Sequence, residues 1–215
     1  MARSAQTARS ERTREALRRA ALVRFLAQGV EGTSAEQIAG DAGVSLRTFY
    51  RHFTSKHDLL FADYDAGLHW FRSALAARPD DEPITESVQV AIFAFPYDVQ
   101  AVTQIATMRS GSLDANRIVR HMRQVEADFA EAVAGRLERR PPPRTGAGER
   151  DSQRDSLGER LAVAVTARCV AAAVFGAMEV WMLREERSLP ELAELCRAAL
   201  DSLNHGITDG LFRQY

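Results

Sequence analysis

Apolar residues recur at three- and four-residue intervals almost throughout the chain, and no convincing alternation of apolar and polar positions interrupts them. That period predicts an all-α protein. Leu17, Ala21 and Phe25, with Leu22 and Leu26 beside them, mark one face of a first helix that ends near Gly29. Thr33 opens a second helix, with Glu36 three residues on completing a capping box, and Ile38, Ala39 and Ala42 form its buried face. Gly43 suits a left-handed residue after that helix. Ser45 caps a short third helix on which Phe49 and Phe53, four apart, face inward. Ser55 and Asp58 have capping-box spacing at the start of a long fourth helix reaching about Arg78.

Residues 79–83 are a turn-rich break. Beyond them the pattern predicts helices over about 84–93, 98–110, 113–139, 157–184 and 189–205, with Pro96, Gly111 and Pro190 as punctuation. Residues 141–156 lack large apolar side chains and read as a flexible loop. No internal repeat is visible. The longest apolar stretch, 161–183, is interrupted by Arg168 and Glu179, which suits a buried helix rather than a membrane span.

With 215 residues, 46% hydrophobic and 27% charged, the chain has ample material for a globular core. Its net charge of −1 conceals an asymmetry. Residues 1–57 hold ten Lys/Arg against five acids, a head of +5, so the remaining residues carry −6. A basic head on an acidic body fits a nucleic-acid-binding module joined to a second domain. Cys169 and Cys196 sit in helical apolar patterns and read as reduced core thiols, too few for a disulfide framework or a zinc site. The first twenty residues are polar and arginine-rich, unlike a secretory signal, so a cytoplasmic protein is expected.

Two short helices joined by a tight turn, 33–42 and 45–53, have the geometry that places the second in a DNA major groove. The outward face of the second carries Ser45, Leu46, Arg47, Thr48, Tyr50 and Arg51. Arg47, one turn in, is placed to read guanine O6 and N7, a pairing worth about 1–3 kcal/mol against a wrong base. Thr33, Tyr50, His52 and Lys56 suit phosphates, which fix register without reading sequence. Leu46 either meets a thymine methyl or packs locally. The arm over about 1–9, with Arg3 and Arg9, and the neighbouring Arg12 and Arg14 leave two readings open: a DNA-tracking arm or a solubilising, disordered tail.

The stretch T-S-A-E-Q-I-A-G-D-A-G-V-S-L-R-T-F-Y-R-H-F-T-S-K-H-D-L-L, residues 33–60, resembles the DNA-binding signature of the tetracycline-repressor (TetR) family. It covers less than a third of the chain but matches at many positions. The resemblance implies a helix-turn-helix domain over 1–57 and a helical effector-binding and dimerisation bundle over 58–215. It implies a homodimer on double-stranded operator DNA, with contacts from Thr33, Ser45, Arg47, Thr48, Tyr50, His52 and Lys56. Leu46 and Arg51 fall at variable positions that help set operator choice. The family's plan pairs the last two helices with those of a second copy. Ala172 and Gly176 permit close helix approach, and Leu192, Leu195, Ala199 and Leu203 repeat at helical spacing. An intramolecular core uses the same spacing, and both uses can hold on different faces.

A small, largely apolar effector is also implied, for which Trp70, Phe93, Phe95, Met108, Met122, Phe175 and Met178 are candidate pocket linings. Arg109 is a candidate polar anchor for a ligand carboxylate or phosphate, with an ion pair to an acidic side chain as the default reading. Neither cofactor nor metal is expected. The five histidines are scattered, and no H-E-x-x-H, P-loop or G-x-S-x-G occurs, which argues against an enzyme. A ligand-independent regulator and an activator stand as alternatives to a repressor.

Overall fold

The computed structural model describes residues 2–94, 99–139, 152–184 and 188–205. Phe95 and most of the expected loop at 141–156 lie outside them. Among the described residues there are nine α-helices, one 3-10 turn and no strand. The chain packs as two compact units, one made of residues 1–65 with 100–121, the other of 66–99 with 122–215.

The first unit is built on α1 (Ala2–Gln28), α2 (Ala35–Asp41) and α3 (Leu46–His52). Helix α1 runs through the arginine-rich arm, where Ala, Gln, Glu and Arg are good helix formers. Leu17, Ala21 and Phe25 point from it into a cluster with Ile38, Phe49, Phe53, Leu59 and Leu60. Leu17, Ile38, Phe49 and Leu60 are fully buried, so each helix contributes an anchor. Arg24 grips Asp41 through two bonds of 2.6 and 2.9 Å, tying α1 to the end of α2. The expected long fourth helix begins instead as a 3-10 turn, Lys56–Phe61, before α4 (Ala62–Ala76). Nearly all of α6 (Val99–Ser112) and the first turns of α7 (Ala115–Glu138) complete the unit, and Met108 and Leu113 pack on its core.

In the second unit, α5 (Ile84–Phe93) and α9 (Leu189–His205) have the bounds read from the sequence. The α4–α5 turn is tied by charge. Arg78 and Ser87 both bond Glu82, Ser87 at 2.6 Å, and buried Arg136 reaches the Pro79 carbonyl and Asp80. Phe71 stacks on Phe129 with centroids 3.9 Å apart, and Phe129 meets Phe175 edge-to-face at 5.7 Å. Helix α8 (Ser152–Met182) packs α9 through Ala177, Trp181, Leu192 and Cys196. Its apolar stretch is long enough to cross a membrane by length and composition, yet the helix is two-faced. Ala167, Val170, Ala171 and Val174 are buried, whereas Leu157, Leu161, Val165 and Val180 are exposed. Cys169, expected in the core, is on the exposed face; Cys196 is buried, its thiol pushed up to about 11 by desolvation.

Candidate nucleic-acid interface

The interface is prepared by the turn into α2. Ser34, not Thr33, caps this helix: its hydroxyl accepts from the Gln37 amide at 3.2 Å, and Gln37 Oε1 accepts from the Ser34 amide at 2.9 Å. Both residues have the chemistry of a cap. Thr33 loses the position because its hydroxyl donates back to the Gly29 carbonyl at 2.8 Å, leaving it 2% exposed. Thr33 therefore holds the turn from inside rather than offering its hydroxyl to solvent.

Helix α2 ends in a Schellman arrangement. The Val44 amide donates to Ala39 O at 2.9 Å and the Gly43 amide to Gly40 O at 3.0 Å, with Gly43 at φ +67°. This turn aims α3. Ser45 caps α3, accepting from the Thr48 amide at 3.2 Å, with the two hydroxyls 3.0 Å apart. Phe49 plugs α3 into the core, and Phe53 follows one turn later.

Opposite these anchors, Ser45, Arg47, Tyr50 and Arg51 are exposed, Tyr50 at 54%. Arg47 and Arg51 engage no carboxylate among the described residues. Thr48 is half-buried, and Leu46 is half-buried and packs against the core. His52 is also half-buried; desolvation, then Arg51 and Arg14, hold its imidazole below the usual range and so favour the neutral ring. Arg14 lies 5.5 Å over the Phe53 ring. The Lys56 ammonium donates to the Val30 carbonyl at 2.8 Å and to the Glu31 carbonyl at 3.4 Å.

The segment after α3 is braced by residues the sequence did not single out for this role. Asp58 accepts from the Thr54 amide and hydroxyl, the Ser55 amide and, at 2.7 Å, Arg117. Burial alone would raise its pKa, but these donors hold it below the usual carboxylate range. Arg109 is 3% exposed, donates to Leu60 O at 2.7 Å and Asp63 at 2.6 Å, and lies over Tyr64 at 4.4 Å. His121 stacks on Phe61 at 4.0 Å. Partners 46 to 62 residues away leave no local sequence signal; only the Ser55–Asp58 spacing was visible.

The expected pocket residues that are described fall in both units. Met108 and Arg109 belong to the first unit, and Arg109 is spent on Asp63. In the second unit, Phe93 and Met178 flank the α8–α9 cluster, Phe175 joins the phenylalanine series, Met122 is half-buried and Trp70 is 47% exposed. An open groove of about 750 Å³ lies between α7 and α8, lined by alanines such as Ala130 and Ala171 and by Arg123, Glu131 and Arg168. Of the expected interface residues, Ala172 is exposed, and Gly176, Leu195, Ala199 and Leu203 are half-buried. Leu192 is a correction: it is 6% exposed and packs within the chain, because helical spacing identifies a buried face without saying what buries it.

Residues 17–62 match the model of bacterial regulatory proteins of the tetR family. Over 204 residues the chain is 34% identical to the HTH-type transcriptional regulator TcmR of Streptomyces glaucescens, covering 89% of this chain and 83% of TcmR. Solved structures share the fold: a TetR-family regulator from Mesorhizobium loti MAFF303099 (TM-score 0.51, 20% identity, 92% of this chain and 97% of that one) and SmeT, the repressor of a Stenotrophomonas maltophilia efflux pump (TM-score 0.51, 21% identity, 93% and 92%). Buried Phe49 beneath an exposed Arg47, the capped turn that aims them and the similarity to TcmR along most of both chains lead to one conclusion: the chain belongs to the TetR family of helix-turn-helix transcriptional regulators and is not an enzyme.

Proposed function

We propose that this regulator is a cytoplasmic repressor that binds a palindromic operator as a homodimer and is released by a small, largely apolar effector. The observation that carries the operator reading is the face of α3, where Arg47, Tyr50 and Arg51 stand exposed on a helix fixed by fully buried Phe49. Guanidinium and phenol groups on a helix so held are placed to reach base edges and phosphates. Dimerisation is supported by the uncovered side of α8, where Leu161, Val165 and Val180 are exposed in line with Ala172 and half-buried Gly176. Two copies joined there would set their α3 helices for successive major grooves, about 34–36 Å apart. Occupancy of the operator then excludes other proteins from it.

The effector reading rests on the family plan. Its physical support is the bracing of the segment after α3 by Arg109 of α6 and Arg117 of α7. An effector that favours a different placement of those helices would shift the population away from the DNA-binding form.

Selection of duplexes from a random pool, followed by sedimentation of the free and bound protein, tests the first two parts. The expected product is a palindrome bound by two copies. Ala172→Glu should yield a folded monomer with sharply weaker operator binding; a variant that stays dimeric would move the interface elsewhere. Metabolites that raise the melting temperature yet leave operator affinity untouched would overturn the release mechanism.

A further inference from the structure

Glu31, in the turn between α1 and α2, faces the Lys56 ammonium and the His57 imidazole, which follow α3. Its carboxylate lies 3.2 Å from His57 Nε2 and 3.6 Å from Lys56 Nζ, and its side chain is 80% exposed. His57 first, then Lys56, hold the carboxyl below its usual range, so Glu31 is charged at neutral pH. The Lys56 ammonium has three protons, and the Val30 and Glu31 carbonyls take two of them. That fixes the stem and leaves one donor on the side where Glu31 sits. Glu31 also precedes the Ser34 cap of α2, the helix that crosses the DNA backbone in a helix-turn-helix complex. A carboxylate there opposes a phosphate, yet it presents negative charge and paired oxygens to the same ammonium and imidazole.

We propose that Glu31 is an internal stand-in for a DNA phosphate, occupying Lys56 and His57 when the protein is free and giving them up when a duplex binds. Its exposure makes this exchange easy, since one long side chain need only swing into solvent. The cost falls equally on every DNA sequence, because no base edge is involved. Glu31 thus shortens residence on DNA of any sequence and leaves the preference for operator to α3. The inference rests on the proposed DNA-binding reading of the head.

The test is Glu31→Gln, nearly isosteric, measured by fluorescence anisotropy on a duplex selected by the wild-type protein and on a scrambled duplex, across a salt series. Both affinities should rise by the same ~2–5-fold. The slope of log K against log salt should steepen by about one. In a Lys56→Gln/His57→Ala background, Glu31→Gln should have no effect. Unchanged or weaker binding by Glu31→Gln would overturn the proposal, as would a gain that persists in that background. A wild-type protein that binds no duplex sinks the DNA-binding reading itself, whereas wild-type binding with a silent Glu31→Gln sinks only this inference.

Discussion

Arg47 shows how a single side chain acquires a role from its neighbours. It is exposed because Phe49, two positions on, is fully buried, and a helix cannot turn both inward. Arg47→Ala should lose about 1–3 kcal/mol of discrimination at one base position, measured by competition between operator variants, with the melting temperature unchanged. Equal loss on all sequences would make Arg47 a phosphate contact. This face was legible because Phe49 and Phe53 lie four apart. The duties of Thr33 and Lys56 were not. Their hydroxyl and ammonium bond carbonyls of the α1–α2 turn, Lys56 from 26 residues away, and no local spacing encodes such a partner.

At the scale of elements, turns rather than helices carry the specific chemistry. Gly43 lies at φ +67° with nothing near the position of a Cβ, so replacing it adds backbone strain and no clash. Gly43→Ala should cost ~1–2 kcal/mol in urea unfolding, and Gly43→Asn less, because Asn tolerates the left-handed region. The α4–α5 turn gives a pH signature. Arg78 and then Ser87 hold Glu82 at about 2, below its usual 4.5. A depressed carboxyl stabilises the fold above its unfolded pKa, and that contribution fades as pH falls through the folded value. Glu82→Gln should therefore lower the melting temperature at pH 7, and the deficit should shrink below about pH 4.5 and close near pH 2. A deficit that stays constant with pH would mean that the charge is immaterial. Apolar period and punctuation were enough to read α5 and α9 to their ends. They could not reveal the 3-10 start of the fourth helix, where Asp58 is held by Arg117 from 59 residues away.

For the whole molecule, the all-α plan and the family were legible because period and motif are local properties. The destination of each apolar residue was not. Met108 and Phe175 are both large and apolar, yet one packs on the helix-turn-helix core and the other on the phenylalanine series of the second unit. Leu192 likewise had the spacing of an interface and became core.

The path of that first core along the chain bears on protein engineering. Leu59 and Leu60, with Met108 and Leu113 from much later, pack with Leu17, Phe25 and Phe49. A chimera that transplants residues 1–57 onto a foreign regulator would replace all four of those later residues. Such a hybrid should melt well below both parents unless the host happens to supply similar shapes. Carrying residues 1–65 together with 100–121 should restore a sharp, cooperative transition. Specificity in this chain is therefore portable only as a two-piece graft, and evolution by simple exchange of DNA-reading heads would have to repair the same seam.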